Sequence, residues 1–184
     1  MKLMFASDIH GDEFYCKKLK KIYIEEKAEK LILLGDLLYN KSRMIIGKNK
    51  ERQKVAGILN DLMEDIVCVK GNCDTDMDQD LLYFPMLKEY QKLNVDGYQF
   101  FITHGHIYNR YHLPPSEKKT ILIHGHTHIP YIENTSEYLY LNPGSISNPR
   151  DGSPHTYMIY ENKEFTIKDI EGNKINRISL DESY

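Results

Sequence analysis

The chain has 184 residues, 41% of them hydrophobic and 28% charged, with a formal net charge of -3. That balance fits one globular domain spanning residues 1–184, and it excludes a basic nucleic-acid stripe, a membrane span and a disordered polyelectrolyte. The three cysteines, Cys16, Cys68 and Cys73, form no CxxC pair and leave an odd thiol, so a reducing cytoplasm is expected rather than a disulfide framework. The N-terminal MKLMFASDIHGD carries one lysine and too short an apolar run for a signal peptide.

In chain order, residues 2–6 (KLMFA) read as a strand. Residues 13–26 read as a helix with Tyr15, Leu19, Ile22 and Tyr23 at helical spacing, and residues 30–34 as a second strand. Residues 49–64 form a second helix with Val55, Ile58, Leu59 and Leu62 on its apolar face. Residues 66–69 are a third strand. This alternation is that of a parallel sheet with covering helices. A short helix over 74–80 follows, which Asp74 is expected to cap. Residues 88–95 and 98–103 flank Asp96-Gly97, a strong hairpin signal. Residues 120–124 are a further strand. Residues 129–134 with 138–141, and 155–161 with 164–170, read as two more hairpins. The expected fold is α/β with two sheets, parallel first and antiparallel later. Residues 39–48 and 107–119 are unpatterned and read as loops.

Each strand that reads as buried ends in a polar residue able to bind metal. Asp8 and His10 follow the first strand, Asp36 the second and Asn72 the third. His104 and His106 end YQFFIT, and His126 and His128 end ILIH. In open α/β sheets, ligands bind at the carboxyl ends of strands. The set mixes carboxylate, amide oxygen and imidazole, which suits Mn²⁺, Zn²⁺, Fe²⁺, Co²⁺ or Ni²⁺ better than Ca²⁺. Asp8, His10, Asp36, Asn72, His104, His126 and His128 exceed what one ion uses and suffice for two ions sharing a carboxylate. In Asp8-x-His10 and His126-x-His128 an extended backbone would point both ligands to one side. Singly, a Gly-Asp or Gly-Asn is a turn and a lone histidine is a loop or core residue. Their joint occurrence at strand ends favours the metal reading.

The stretches SDIHGD, LLGDLLYN, VKGNCD, THGH, HGHTH and LNPGSISNPR, in this order, resemble the calcineurin-like metallophosphoesterases. They look most like the small single-domain phosphodiesterase branch of bacteria and archaea. The resemblance spans residues 2 to about 150. It implies a two-sheet αββα sandwich with mixed strands and a metal-dependent phosphodiesterase acting through a metal-bridged hydroxide. Asp8, His10, Asp36 and His128 would hold one ion, and Asp36, Asn72, His104 and His126 a second, with Mn²⁺ favoured. Asn72, Cys73 and His104 would belong to the catalytic set, and His106 and Arg150 to the substrate pocket. His124 reads as a buried, hydrogen-bonded strand residue, and His112 and His155 as surface.

Many superfamily members carry a histidine directly after the ligand asparagine. Here that position is Cys73, a weaker hydrogen-bond donor, which is typical of the small branch. Aryl leaving groups are therefore expected to be favoured. Asp74 has a second reading, orienting a ligand instead of capping. The expected partner is a small phosphoester, with neither nucleic acid nor membrane. The family also implies a homodimer or higher homo-oligomer, and Met44, Ile45 and Ile46 offer an apolar contact. Three alternatives stay open: a non-catalytic scaffold resembling the small subunit of retromer, a phosphomonoesterase or protein phosphatase of the same superfamily, and a cyclic-nucleotide phosphodiesterase.

Overall fold

A computed structural model describes residues 1–39, 49–115 and 120–180. Met44, Ile45 and Ile46 lie outside the described residues, as do parts of both predicted loops. Strands β1 (Leu3–Ala6), β2 (Lys30–Leu33) and β3 (Ile66–Cys68) alternate with helices α1 (Glu13–Glu26) and α2 (Asn49–Asn60), and a short α3 (Asp76–Gln79) follows. Then come β4 (Tyr90–Val95), β5 (Tyr98–Thr103), β6 (Thr120–Ile123), β7 (Pro130–Asn134) and β8 (Tyr138–Pro143), and finally β9 (Thr156–Glu161), β10 (Glu164–Asp169) and β11 (Lys174–Ser179). The second predicted helix ends at Asn60, and residues 63–65 form a separate 3₁₀ turn.

Two mixed sheets result, in the orders β11-β10-β9-β1-β2-β3 and β4-β5-β6-β8-β7. The expected division into a parallel half and an antiparallel half needs correction. The last hairpin returns to the first sheet, where β9 runs antiparallel beside β1. In the second sheet β5, β6 and β8 are parallel neighbours. Only non-local pairing sets this arrangement, so local patterning could not reveal it.

Alternation along β1 explains the layering. Leu3 and Phe5 face the second sheet, in a core with Ile32, Phe100, Ile121, Leu139 and Tyr160. Met4 and Ala6 face Leu19 and Tyr23 of α1 and Val55 and Leu59 of α2. Burial on both faces turns the strand into one continuous apolar run. On the outer face of the second sheet, Phe101, Leu122 and Tyr140 pack with Tyr108 and Tyr138. Tyr108 comes from the loop after β5, held by paired backbone bonds between Asn109 and His112. Among the described residues no helix is long and apolar enough to cross a membrane.

Glu26, the last residue of α1, ties the helix to the sheet. Its Oε1 accepts from Lys168 Nζ at 2.6 Å and Tyr157 Oη at 2.8 Å, and its Oε2 lies 3.0 Å from Lys2 Nζ. Burial alone would raise the Glu26 pKa, but these partners outweigh it and bring it from 4.5 to about 2. A depressed carboxylate contributes stability above its unfolded pKa and loses it as pH falls through the folded one. Glu26→Gln should therefore lower stability by about 1–2 kcal/mol at neutral pH, a range discounted for partial exposure. The gap from wild type should close between pH 4.5 and about 2. Chemical denaturation of both proteins across that window measures it; a gap independent of pH would contradict the assignment.

Candidate metal centre

The loops after β1, β2, β3, β5 and β6 meet at one end of the sandwich. Asp8, Asp36, His104 and His128 are buried there, His10 and His126 are half-buried, and Asn72 is exposed. His128 Nε2 lies 3.1 Å from Asp8 Oδ1 and 3.2 Å from His10 Nε2. His10 Nε2 is 3.6 Å from Asp8 Oδ1 and 3.7 Å from Asp36 Oδ2. On the other side, His104 Nε2 is 3.6 Å from the same Asp36 Oδ2, 3.0 Å from Asn72 Oδ1 and 3.2 Å from His126 Nδ1. Asp36 Oδ2 thus stands between two groups of donor atoms. Asp8, His10 and His128 come close enough to hold one ion, and so do Asp8, Asp36 and His104. All seven predicted ligands are brought together.

The protonation pattern tests whether a cation fits. His10 Nδ1 bonds to Tyr39 O at 3.0 Å, His104 Nδ1 to Leu34 O at 2.6 Å, and His128 Nδ1 to Asn148 O. A carbonyl only accepts, so each Nδ1 carries the hydrogen and each neutral ring turns its Nε2 lone pair inward. There the lone pairs meet one another, Asn72 Oδ1 and two carboxylates. Asp8 Oδ1 is buried and meets no hydrogen-bond donor of standard geometry among the described residues. Acceptors facing acceptors need a positive charge between them, and carbonyl-anchored imidazoles are the usual outer support of metal-ligating histidines. Without metal, a proton is the substitute. Burial would lower the His10 pKa, but neighbouring Asp8 raises it. Burial would likewise raise the Asp8 pKa, and His10 and His128 hold it well below the carboxylate range.

The ligand backbone is not extended, contrary to the sequence expectation. Asp8, His10, Asp36, His126 and His128 have φ of 57°, 49°, 55°, 67° and 64°. Left-handed torsions in such residues cost on the order of 1 kcal/mol or more each and persist only where the surroundings enforce them. Much of that enforcement comes from LNPGSISNPR, the turn-rich stretch that the resemblance places beside the ligand loops, and from Ser7. Ser145 Oγ and Ser147 Oγ donate to Asp8 O at 2.8 and 2.9 Å. Ser7 Oγ and the His126 N–H donate to Asp8 Oδ2 at 2.6 and 3.0 Å, leaving Oδ1 to face the imidazoles. Asn142 Nδ2 donates to Gly125 O at 2.8 Å and to Thr127 Oγ1 at 3.1 Å. A polar residue inside a buried strand end, as Asn142 is in LNP, was the available signal.

Asp74 also belongs here, which corrects its expected role as a helix cap. Thr75 and Asp78 form the capping box of α3. The Asp74 carboxylate instead accepts from the backbone N–H groups of Asp36 at 2.8 Å, Leu37 at 2.9 Å and Gly71 at 2.8 Å. It clamps the β2 and β3 loops together. The Cys73 N–H donates to Asp36 Oδ1 at 2.8 Å, which turns Oδ2 to the shared position. Burial, reinforced by Asp36, pushes the Cys73 thiol up to about 12, so it stays neutral.

His106 is half-buried at the rim, its Nε2 3.5 Å from Glu89 Oε2, and burial lowers its pKa. Arg150 has an exposed side chain, and its N–H donates to His128 O at 3.3 Å. His124 is 1% exposed, with Nδ1 2.9 Å from Gly125 O, and its pKa falls to about 4 through burial. This agrees with its reading as a strand residue. His112 is exposed as expected. His155 is not simply a surface residue: it stacks on Tyr15, accepts from its hydroxyl at 2.8 Å and donates to Ile146 O at 3.0 Å.

Gly125 is required by close approach. A Cβ there would meet Ser7 Oγ at 1.8 Å and Asp8 Oδ2 at 2.8 Å. Gly125→Ala should weaken Mn²⁺ binding at least about tenfold, as loss of outer support around metal ligands does. Gly57→Ala, with open space around it in α2, should bind normally and gain about 0.5–1 kcal/mol of stability. Calorimetric Mn²⁺ titration and thermal melting measure the two effects; unchanged Mn²⁺ affinity in Gly125→Ala would refute the packing argument.

Comparison with known proteins gives the same direction. Residues 1–164 match the calcineurin-like phosphoesterase superfamily domain. The phosphodiesterase YfcE of Escherichia coli strain K12 is 36% identical over 167 residues, 91% of each chain. A phosphodiesterase of Methanocaldococcus jannaschii is 27% identical over 161 residues, 84% of this chain and 89% of that one. The solved structure of YfcE superposes with a TM-score of 0.91 at 33% identity, covering 98% of this chain and all (100%) of that one. The zinc complex of Vps29 from Entamoeba histolytica shares the fold, with a TM-score of 0.59 at 19% identity over 97% of this chain and 98% of that one. Motif order, two-sheet sandwich and extent of match agree, and the chain belongs to the calcineurin-like phosphoesterase superfamily.

Proposed function

We propose that this chain is a metal-dependent phosphodiesterase with a two-ion site, in which Asp8, His10, Asp36 and His128 hold one ion and Asp36, Asn72, His104 and His126 the other. The observation that carries this reading is Asp36 Oδ2, 3.7 Å from His10 Nε2 and 3.6 Å from His104 Nε2, between two sets of inward lone pairs. Two divalent ions in such a site activate a water and neutralise charge on phosphate oxygens. Manganese suits the mixed oxygen and nitrogen set. The substrate is a small phosphoester and the compartment the cytoplasm, in keeping with free thiols.

The protein's own part is positioning. Asp74 and the Cys73 N–H hold Asp36, the serines hold Asp8, and the carbonyls of Tyr39, Leu34 and Asn148 fix the histidine tautomers. His106 and Arg150 are proposed to contact the substrate from the rim. With a thiol at position 73, no imidazolium stands beside the leaving oxygen, so acidic leaving groups should react best. The complete ligand set counts against a non-catalytic scaffold, and Cys73 in place of histidine counts against a phosphomonoesterase.

The test is hydrolysis of a bis-aryl phosphate with and without Mn²⁺. Wild type should be Mn²⁺-stimulated, and Asp36→Ala should lose at least about 100-fold in kcat/KM. Aryl diesters should exceed dialkyl diesters by about tenfold or more. Absence of Mn²⁺ stimulation, or full activity in Asp36→Ala, would overturn the enzyme reading; equal aryl and alkyl rates would overturn the leaving-group reading.

A further inference from the structure

Asn72 differs from the other inward-facing donors in being exposed, so packing does not hold its amide plane. Its Oδ1 lies 3.0 Å from His104 Nε2, and that nitrogen is a lone pair because His104 Nδ1–H is committed to Leu34 O at 2.6 Å. An unrestrained amide would flip, since its NH₂ could then donate to the imidazole lone pair. That flip would replace a metal-competent oxygen with a group that repels cations. A contact among the described residues opposes it: Asn72 Nδ2 donates to Cys73 Sγ at 3.3 Å. The same residue donates its backbone N–H to Asp36 Oδ1 at 2.8 Å, which turns the other carboxylate oxygen toward both groups of ligands.

We propose that Cys73 is a positioning residue whose sulfur accepts from the Asn72 amide and so keeps Asn72 Oδ1 turned toward the second ion, while its backbone orients Asp36. The thiol's task is then to set the ligand geometry, with no proton passed to the leaving group. A small acceptor is what the position requires. Serine offers an oxygen acceptor on the same stem, and alanine offers none. The backbone N–H survives every substitution, so Asp36 keeps that partner; the thiol also interacts with the Asp36 carboxylate, so a side-chain change should weigh more on the second ion than on the first. This inference rests on the two-ion reading above.

The experiment compares wild type, Cys73→Ser, Cys73→Ala and Asn72→Ala by calorimetric Mn²⁺ titration of the metal-stripped protein, with thermal melting in EDTA as a control for folding. Wild type should bind two ions. Cys73→Ala should lose about tenfold or more at the second ion, the usual effect of removing a partner from a metal ligand, and clearly less at the first. Asn72→Ala should weaken the same step, and Cys73→Ser should restore it to within about threefold of wild type, short of the effect of losing a partner. Melting in EDTA should be alike for wild type and both cysteine variants. If wild type binds two ions and Cys73→Ala binds both equally well, the positioning role is wrong. A second-ion loss in Cys73→Ser as large as in Cys73→Ala would refute it too. If wild type binds fewer than two ions, the two-ion reading itself fails, and this inference with it.

Discussion

Acceptor atoms face one another at the carboxyl ends of five strands, and the surrounding structure is arranged to keep them there. Lone pairs of His10, His104 and His128 and the oxygens of Asp8, Asp36 and Asn72 sit 3.0–3.7 Å apart. Such an arrangement is repulsive unless a cation or a shared proton lies within it. It survives because each ring is anchored by its other nitrogen to a backbone carbonyl, and each carboxylate by its other oxygen to backbone or hydroxyl hydrogens. The anchors leave one face of each of these five side chains free of backbone partners and aim that face inward.

The sandwich bears the cost. Five of the candidate ligands adopt left-handed backbone torsions, and buried carboxylates cluster in a small volume. Two apolar layers, one between the sheets and one beneath α1 and α2, supply the rigidity that holds this strain. The loops are further tied to one another, within each sheet by Gly125 donating to His104 O at 3.0 Å and His10 to Asp36 O at 2.9 Å, and between the sheets by Ile146 donating to Ser7 O at 3.1 Å. Site and fold therefore share hydrogen bonds, and a change in LNPGSISNPR reaches Asp8 with no side chain of that stretch entering the donor set.

Much of this was legible beforehand. Strand positions followed from apolar runs, and the Asp96-Gly97 turn from its residues, which adopt φ of 51° and 87°. The ligand types followed from the chemistry of Asp, Asn and His at strand ends. What stayed undecided or hidden were groups acting through others. Asp74 resembles a helix cap because carboxylates before a helix usually are caps, yet its three backbone partners come from two loops that only the β2–β3 pairing brings together. Asn142 and His155 act through contacts 17 and 9 positions away in the chain. Local patterning carries no record of such partners.

By itself the sequence determined which residues bear ligand chemistry, that they follow apolar strands, and that they are too many for a single ion. Those properties are local: residue type, hydrophobic period and turn chemistry. Tertiary structure alone decided that the last hairpin joins the first sheet, that ligand backbones are left-handed, and which atom of each side chain faces inward. These depend on strand pairing between distant segments and on which carbonyl captures each imidazole. Only the folded chain brings those partners within hydrogen-bonding distance.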